Sequence, residues 1–281
     1  MEQRAADVQA RLATVSNFGE LVGAMQGVAA ARADQARKRI DGTNTHTQTV
    51  ADAIAQAMAL LPPDRRAPIA ATGRRPLWVL FCPEQPFNGS LSEQVFAAVP
   101  NLTGGRVMLL GAQGVRAAPL RGIQPEWTAP LIAHAEAVVP ASDRLQTALQ
   151  QALAREPASE VGLVFAEVGP GQRHQVVSRR LLPLDLQAAP LREGLRPVTH
   201  LTPQVLLDQL IDEYLSTRLT HALLHSHCAE NLARLQAMAA AHDNVVHMTD
   251  ELGAQARRLR QEAITEEIME LAAGFQALPR I

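Results

Sequence analysis

Lysine is all but missing from this chain: Lys38 stands alone among 26 basic residues, so positive charge here means arginine. Aromatic residues make up only 3%, which removes the usual source of large buried area in a globular core. The two cysteines, Cys82 and Cys228, lie far apart and neither belongs to a CxxC. That excludes a disulfide framework and a zinc signature, and reduced, partly buried thiols are expected. No run of about 18 apolar residues exists, so direct membrane insertion is not expected. The start, MEQRAADVQARL, has acidic residues and helical spacing where a secretory signal has a basic start and an apolar middle, which predicts a cytoplasmic protein. A formal net charge of -2 offers no general attraction to nucleic acid or anionic lipid. There is no GxxxxGK[ST] loop for a nucleotide and no nucleophile-elbow spacing among the Ser, His and Asp residues, so neither an active site nor a cofactor is expected.

Proline is absent from residues 3–60 and 204–278 and concentrated between them, which divides the chain into an N-terminal helix (1–60), a central domain (61–203) and a C-terminal helix (204–281). In the first segment Val8, Leu12, Val15, Val22, Met25 and Ala29 recur three, four or seven positions apart and draw one stripe along a helix. Asp41-Gly42-Thr43-Asn44 is a candidate kink or break within a polar, Thr-rich stretch, and Pro62-Pro63 ends the helix. In the last segment Leu235, Met238, His242, Val245, Thr249, Leu252, Ala256, Leu259 and Ala263 alternate steps of three and four, a heptad seam. Two of its positions are Ala and two are polar, which predicts close, thin packing. A helix over residues 204–276 would be about 105 Å long at ~1.5 Å per residue, more than a compact domain of this size needs.

Between the helices, PLWVLF (76–81), GRVMLL (105–110), VGLVFAEV (161–168) and HQVVSRRLL (174–182) read as strands, with helical spacing over 90–99 and 142–154. Gly169-Pro170-Gly171 should turn the last two strands into a hairpin. The whole is an α/β protein: a long antiparallel coiled coil formed by the N- and C-terminal helices, plus a central Rossmann-like α/β domain.

His221, His225 and His227 beside Cys228 form the most chemical constellation, since His at i and i+4 share a helix face and imidazole binds metals. HExxH is absent, no carboxylate lies in the intervening turn, and His227 and Cys228 point away from the first pair. A titrating helix face or a subunit contact is favoured over a metal site.

The segments AENLARLQAMAAAHDN and LRQEAITEEIMELAAGFQAL resemble the C-terminal signature of the F-type ATP synthase gamma subunit family. Ala229, Glu230, Arg234, Ala237, Met238, Asp243 and Asn244 sit at that family's spacings. So do Arg260, Gln261, Ile264, Thr265, Glu267, Ile268, Glu270, Gly274 and Ala277-Leu278. RLATVSNFGELVGAMQGVAAAR is similar to its N-terminal motif, keeping Val15, Asn17, Ala24, Met25, Val28, Ala29 and Ala30, and GLVFAEV with LLPLD corresponds to a strand pair. Three departures stand out: Gly23 where the family usually has Lys, Arg257 where it usually has Asn, and CPEQPFNGSLSE from Cys82 in place of Asp-Arg-Gly-Leu-Cys-Gly. They imply a divergent branch, of which an alternative ion-translocating ATPase is one form.

The resemblance implies a bacterial central rotor stalk, peripheral on the cytoplasmic face of the inner membrane, that couples proton or sodium flow to ATP synthesis or hydrolysis. Its implied partners are the alpha and beta subunits, the epsilon subunit and the membrane c-ring, with Met25, Arg260, Gln261, Thr265 and Glu267 as subunit contacts. The tip, LAAGFQALPRI, fits a bearing of small or apolar side chains. Without the resemblance, Arg257, Arg258 and Arg260 read as a solvated helix face, and the chain as a free-standing coiled-coil interaction protein with an α/β head.

Overall fold

The computed structural model describes residues 2–62, 73–100, 104–169, 171, 173–184 and 199–276. In chain order the elements are α1 (Glu2–Leu60), β1 (Leu77–Phe81), α2 (Leu91–Ala97), β2 (Arg106–Leu110), α3 (Ala112–Ala117), β3 (Trp127–Ala129), α4 (Val138–Arg155), β4 (Val161–Val168), β5 (His174–Leu182) and α5 (Pro203–Gln276). They form two compact units, one from Met1–Val28 with Leu235–Ile281 and the other from Ala29–Arg234.

α1 runs without interruption through Asp41-Gly42-Thr43-Asn44, so the candidate break is not one. Four hydroxyls account for the polar stretch: Thr43, Thr45, Thr47 and Thr49 each donate to the carbonyl four residues back. Within a helix such bonds satisfy the side chain without breaking the backbone ladder. α1 ends at Leu60, ahead of Pro62, and Pro63 lies outside the described residues.

In the larger unit the two long helices run antiparallel. The Cys228 thiol donates to the Ala33 carbonyl, and further along α1 His46 meets Glu213, earlier on α5. In the smaller unit Val8, Val22, Met238 and Val245 are buried, and Gly19 sets how closely the helices approach. A Cβ added there would stand 2.9 Å from Val245 Cγ1, whereas one at Gly23 or Gly27 meets nothing within 4 Å. Valine is stiff at χ1 and yields poorly. Gly23→Ala and Gly27→Ala are therefore expected to stabilise the chain by about 0.5–1 kcal/mol each through helix propensity, and Gly19→Ala to destabilise it. Urea unfolding of the three variants checks this, and a Gly19→Ala that matches the other two would refute it.

The five strands lie in the order β3-β2-β1-β4-β5, parallel except for β5, which is antiparallel to β4. This is the doubly wound order, in which the chain winds outward from β1 and then reverses to β4. Alternation along the strands sends Leu77, Val79, Phe81, Met108, Leu163 and Phe165 to one face, packed with α1, α4 and α5. Trp78, Leu80, Val107, Leu109 and Val164 go to the other, against Val95, Phe96 and Ile123. Parallel strands covered on both faces are apolar throughout, as β1 and β2 are.

β3 and α3 have no counterpart in the sequence reading. β3 spans only three residues between Pro125 and Pro130, and α3 spans six after the single residue Gly111, too short for either periodicity to register. Gly111, at φ 95, could carry no side chain: a Cβ would lie 2.0 Å from the Cys82 carbonyl oxygen. The hairpin between β4 and β5 forms as the turn residues predict, with Gly171 at φ 72; Pro170 and the Asp185 of LLPLD lie outside the described residues.

Candidate functional site

Two regions carry what the sequence singles out. The first is the far part of α5. Leu235, Leu252 and Leu259 are half-buried and Met238 and Val245 buried, while His242 is exposed. Met25 on α1 is half-buried. Arg260, Gln261, Thr265 and Glu267 are all exposed, as are Arg257 and Arg258, and the Thr265 hydroxyl donates to the Gln261 carbonyl at 2.8 Å. Ile264, Ile268, Met269 and Leu271 are exposed beside them, with Ile268, Met269 and Leu271 at 60%, 67% and 62%. Large apolar side chains standing this far into water over successive turns are a surface without its counterpart. The side chains of 272–276 and the residues 277–281, which hold the rest of the bearing tip and Ala277-Leu278, lie outside the described residues.

The second region is where α5 crosses the sheet. From His221 to Arg234 every residue of α5 is buried, polar ones included. The histidines are therefore not a titrating helix face. His221 and His225 stack with ring centroids 4.1 Å apart against Phe165, and His225 Nδ1 accepts the Val168 N–H at 2.9 Å. Among the described residues His221 Nδ1 and His225 Nε2 have no hydrogen-bond partner. Burial pushes His221 down to about 3, helped by His225, Arg218 and Arg179. It pushes His225 and His227 to about 4, Glu167 opposing the first and Arg32 reinforcing the second. All three are neutral at pH 7. Among the described residues no cluster of three or more His, Cys, Asp or Glu is placed to hold a metal ion. Both thiols are free and buried, and burial raises Cys82 to about 12 and Cys228 to about 11, so neither is a nucleophile at neutral pH.

One turn beyond the histidines lies a network of ionic groups. At the C-terminal edge of β1 the chain runs through Pro83–Ser90, the segment that departs from the family pattern. The Glu84 and Gln85 N–H groups donate to the two carboxylate oxygens of Glu230, at 3.1 and 2.9 Å. Arg234 donates to the same carboxylate at 2.6 Å, to Asn231 Oδ1 at 3.0 Å and to the Pro86 carbonyl at 3.4 Å. Glu84 in turn accepts from the N–H groups of Ala112, at the start of α3, and Leu131, after β3. Three loops at one edge of the sheet are thus held by carboxylates. The loop after β1 lies at the strand ends where doubly wound sheets take ligands; here the Glu230 carboxylate of the chain's own α5 accepts its N–H groups. Sequence reasoning gave Glu230 and Arg234 only as family residues. The signal was present as an i, i+4 acid–base pair, Glu230 and Arg234, the only acid and the only arginine between His221 and Arg234.

The family described as ATP synthase matches the chain over residues 4–278. The chain belongs to the ATP synthase gamma chain family. Curated gamma chains cover it nearly end to end: one from Parafrankia sp. is 29% identical over 95% of both chains, and one from Streptococcus suis 23% over 97% of this chain and 98% of its own. The fold is similar to a chain in the rotor of the Euglena gracilis mitochondrial ATP synthase (TM-score 0.66, 11% identity, 94% of this chain and 100% of that one). It is also similar to one in the central stalk and c-ring of the Tetrahymena thermophila enzyme (TM-score 0.57, 16% identity, 79% and 99%). This gamma chain is therefore a central stalk subunit, in a family whose gamma member is a non-catalytic rotor. Among its described residues no helix is long and apolar enough to cross a membrane.

Proposed function

We propose that this gamma chain turns within a ring of alpha and beta subunits, with the c-ring and an epsilon subunit at its head domain, and so couples transmembrane proton or sodium flow to ATP synthesis or hydrolysis in the beta subunits. The complex lies at the cytoplasmic face of the bacterial inner membrane, with this subunit peripheral to the bilayer. The observation that carries the reading is the exposed apolar and polar stripe of α5 around Arg260–Leu271, set within a family match that spans the chain. A rotor must present different faces to successive catalytic sites, so its surface has to be asymmetric and complementary to a surrounding collar. In that setting Arg260 and Gln261 hydrogen-bond to a beta-subunit loop, the arginine fork holding carboxylate or carbonyl oxygens, while Met25, Thr265 and Glu267 line the same contact.

The test is co-purification. With its own alpha and beta subunits, the tagged chain is expected in a complex of about one copy per three alpha and three beta, active in ATP hydrolysis only when the chain is present. Failure to associate with folded partners would leave a free-standing coiled-coil protein. Within that complex Arg260→Ala is expected to lower coupled ATPase activity about tenfold, the loss of one charge-assisted fork; unchanged activity would remove Arg260 from the contact.

A further inference from the structure

The Glu230 network does more than fill space. Glu230 and Arg234 are among the most deeply buried polar residues, 3% and 5% exposed. A buried ion pair contributes little net stability over an apolar pair of the same volume, because both charges must leave water. What it adds is direction. Each carboxylate oxygen of Glu230 receives one N–H of the loop after β1, and Arg234 closes the ring by reaching the Pro86 carbonyl of that loop. Close packing around His221–Arg234 already resists rolling of the helix; two amides and a guanidinium aimed at one carboxylate add a directional restraint at its last buried turn. α5 leaves the larger unit immediately after Arg234, so the bonds sit at the last residues where this helix can be gripped by the sheet. Glu84 spreads the grip to the loops after β2 and β3.

We infer that Glu230, bonded to the loop after β1, is a torsional anchor that helps stop α5 from turning against the head domain, with Arg234 as its positioning partner. The inference rests on the rotor reading, in which torque passes along α5. Losing the anchor would let the head and the far part of α5 turn out of step, so ATP would be hydrolysed without a matching number of ions moved.

The experiment uses the assembled complex carrying Glu230→Gln or, separately, Arg234→Lys, reconstituted in vesicles. Three quantities are read: subunit stoichiometry, ATP hydrolysis, and ions pumped per ATP. In both variants hydrolysis is expected to stay within about twofold of the parent and ions pumped per ATP to fall to roughly half or less; in Glu230→Gln the amide exchange of Glu84 and Gln85 is expected to quicken about tenfold as their charge-assisted bonds are lost. An unchanged pumping ratio with faster exchange would mean that the bonds form but carry no torque, and would overturn the inference. Unchanged exchange would overturn the bonding itself. Loss of assembly in both variants while the parent assembles would assign the network to folding alone, also against the inference. Failure of the parent chain to assemble would instead count against the rotor reading.

Discussion

Lowering the pH from about 7 to about 4 is expected to remove on the order of 3 kcal/mol of stability for each of the buried histidines from the unit Ala29–Arg234. His221, His225 and His227 have their folded values pushed from an ordinary 6.5 to about 3, 4 and 4, chiefly by burial. In the unfolded chain they take up protons as the pH falls through about 6.5, while in the folded chain they resist until about 4. Between those values the unfolded state binds more protons, so stability is complete above the upper limit, declines through the window and levels off below it. Burial sets the resistance, and one hydrogen bond adds to it for His225. His225 Nδ1 is already an acceptor for the Val168 N–H, and a proton there would set donor against donor. Stacking at 4.1 Å places any charge on one ring beside the other. Denaturant unfolding at a series of pH values measures the slope, and His221→Leu should remove about one proton from it. A stability independent of pH across the window would show that these rings are hydrated.

Replacing Arg106 by Ala is expected to cost about 2–3 kcal/mol, because it leaves carbonyls at the end of α4 without their donor. The guanidinium, on the first residue of β2, pairs with both oxygens of Glu126 at 2.9 and 3.0 Å. It also donates to the Ala152 carbonyl at 2.9 Å and to the Glu156 carbonyl at the end of α4. It therefore caps the helix C-terminus, where carbonyls lack partners and the dipole favours a cation. Arg106→Lys should recover only part of the loss, since one ammonium cannot reproduce a planar fork. A measured cost below about 1 kcal/mol for the Ala variant would mean that water satisfies the α4 carbonyls.

Much of this was legible in the residues. The proline-free ends with their three-and-four spacing gave two long helices, and β1, β2, β4 and β5 fall within a residue or two of the apolar runs that announced them. β3 and α3 escaped because three and six residues hold too little periodicity. Asp41–Asn44 looked like a kink or break because it interrupts the apolar stripe within a polar, Thr-rich stretch, whereas the hydroxyls of Thr43, Thr45, Thr47 and Thr49 bond back to the helix's own carbonyls.

The sequence by itself determined the family, the α/β class and the length of the helices, because those depend on motif spacing and on periodicity local to each segment. Only the tertiary structure decided which polar residues are exposed and which are buried. The histidines read as a surface face because local spacing reports which residues share a side of a helix. It does not report what that side meets. For His221–Arg234 it meets a sheet, and burial turns a charge-bearing stretch into neutral rings and a fully bonded ion pair. Glu230 shows the same limit: its function depends on two amides roughly 145 residues away in sequence, brought to it by the strand order.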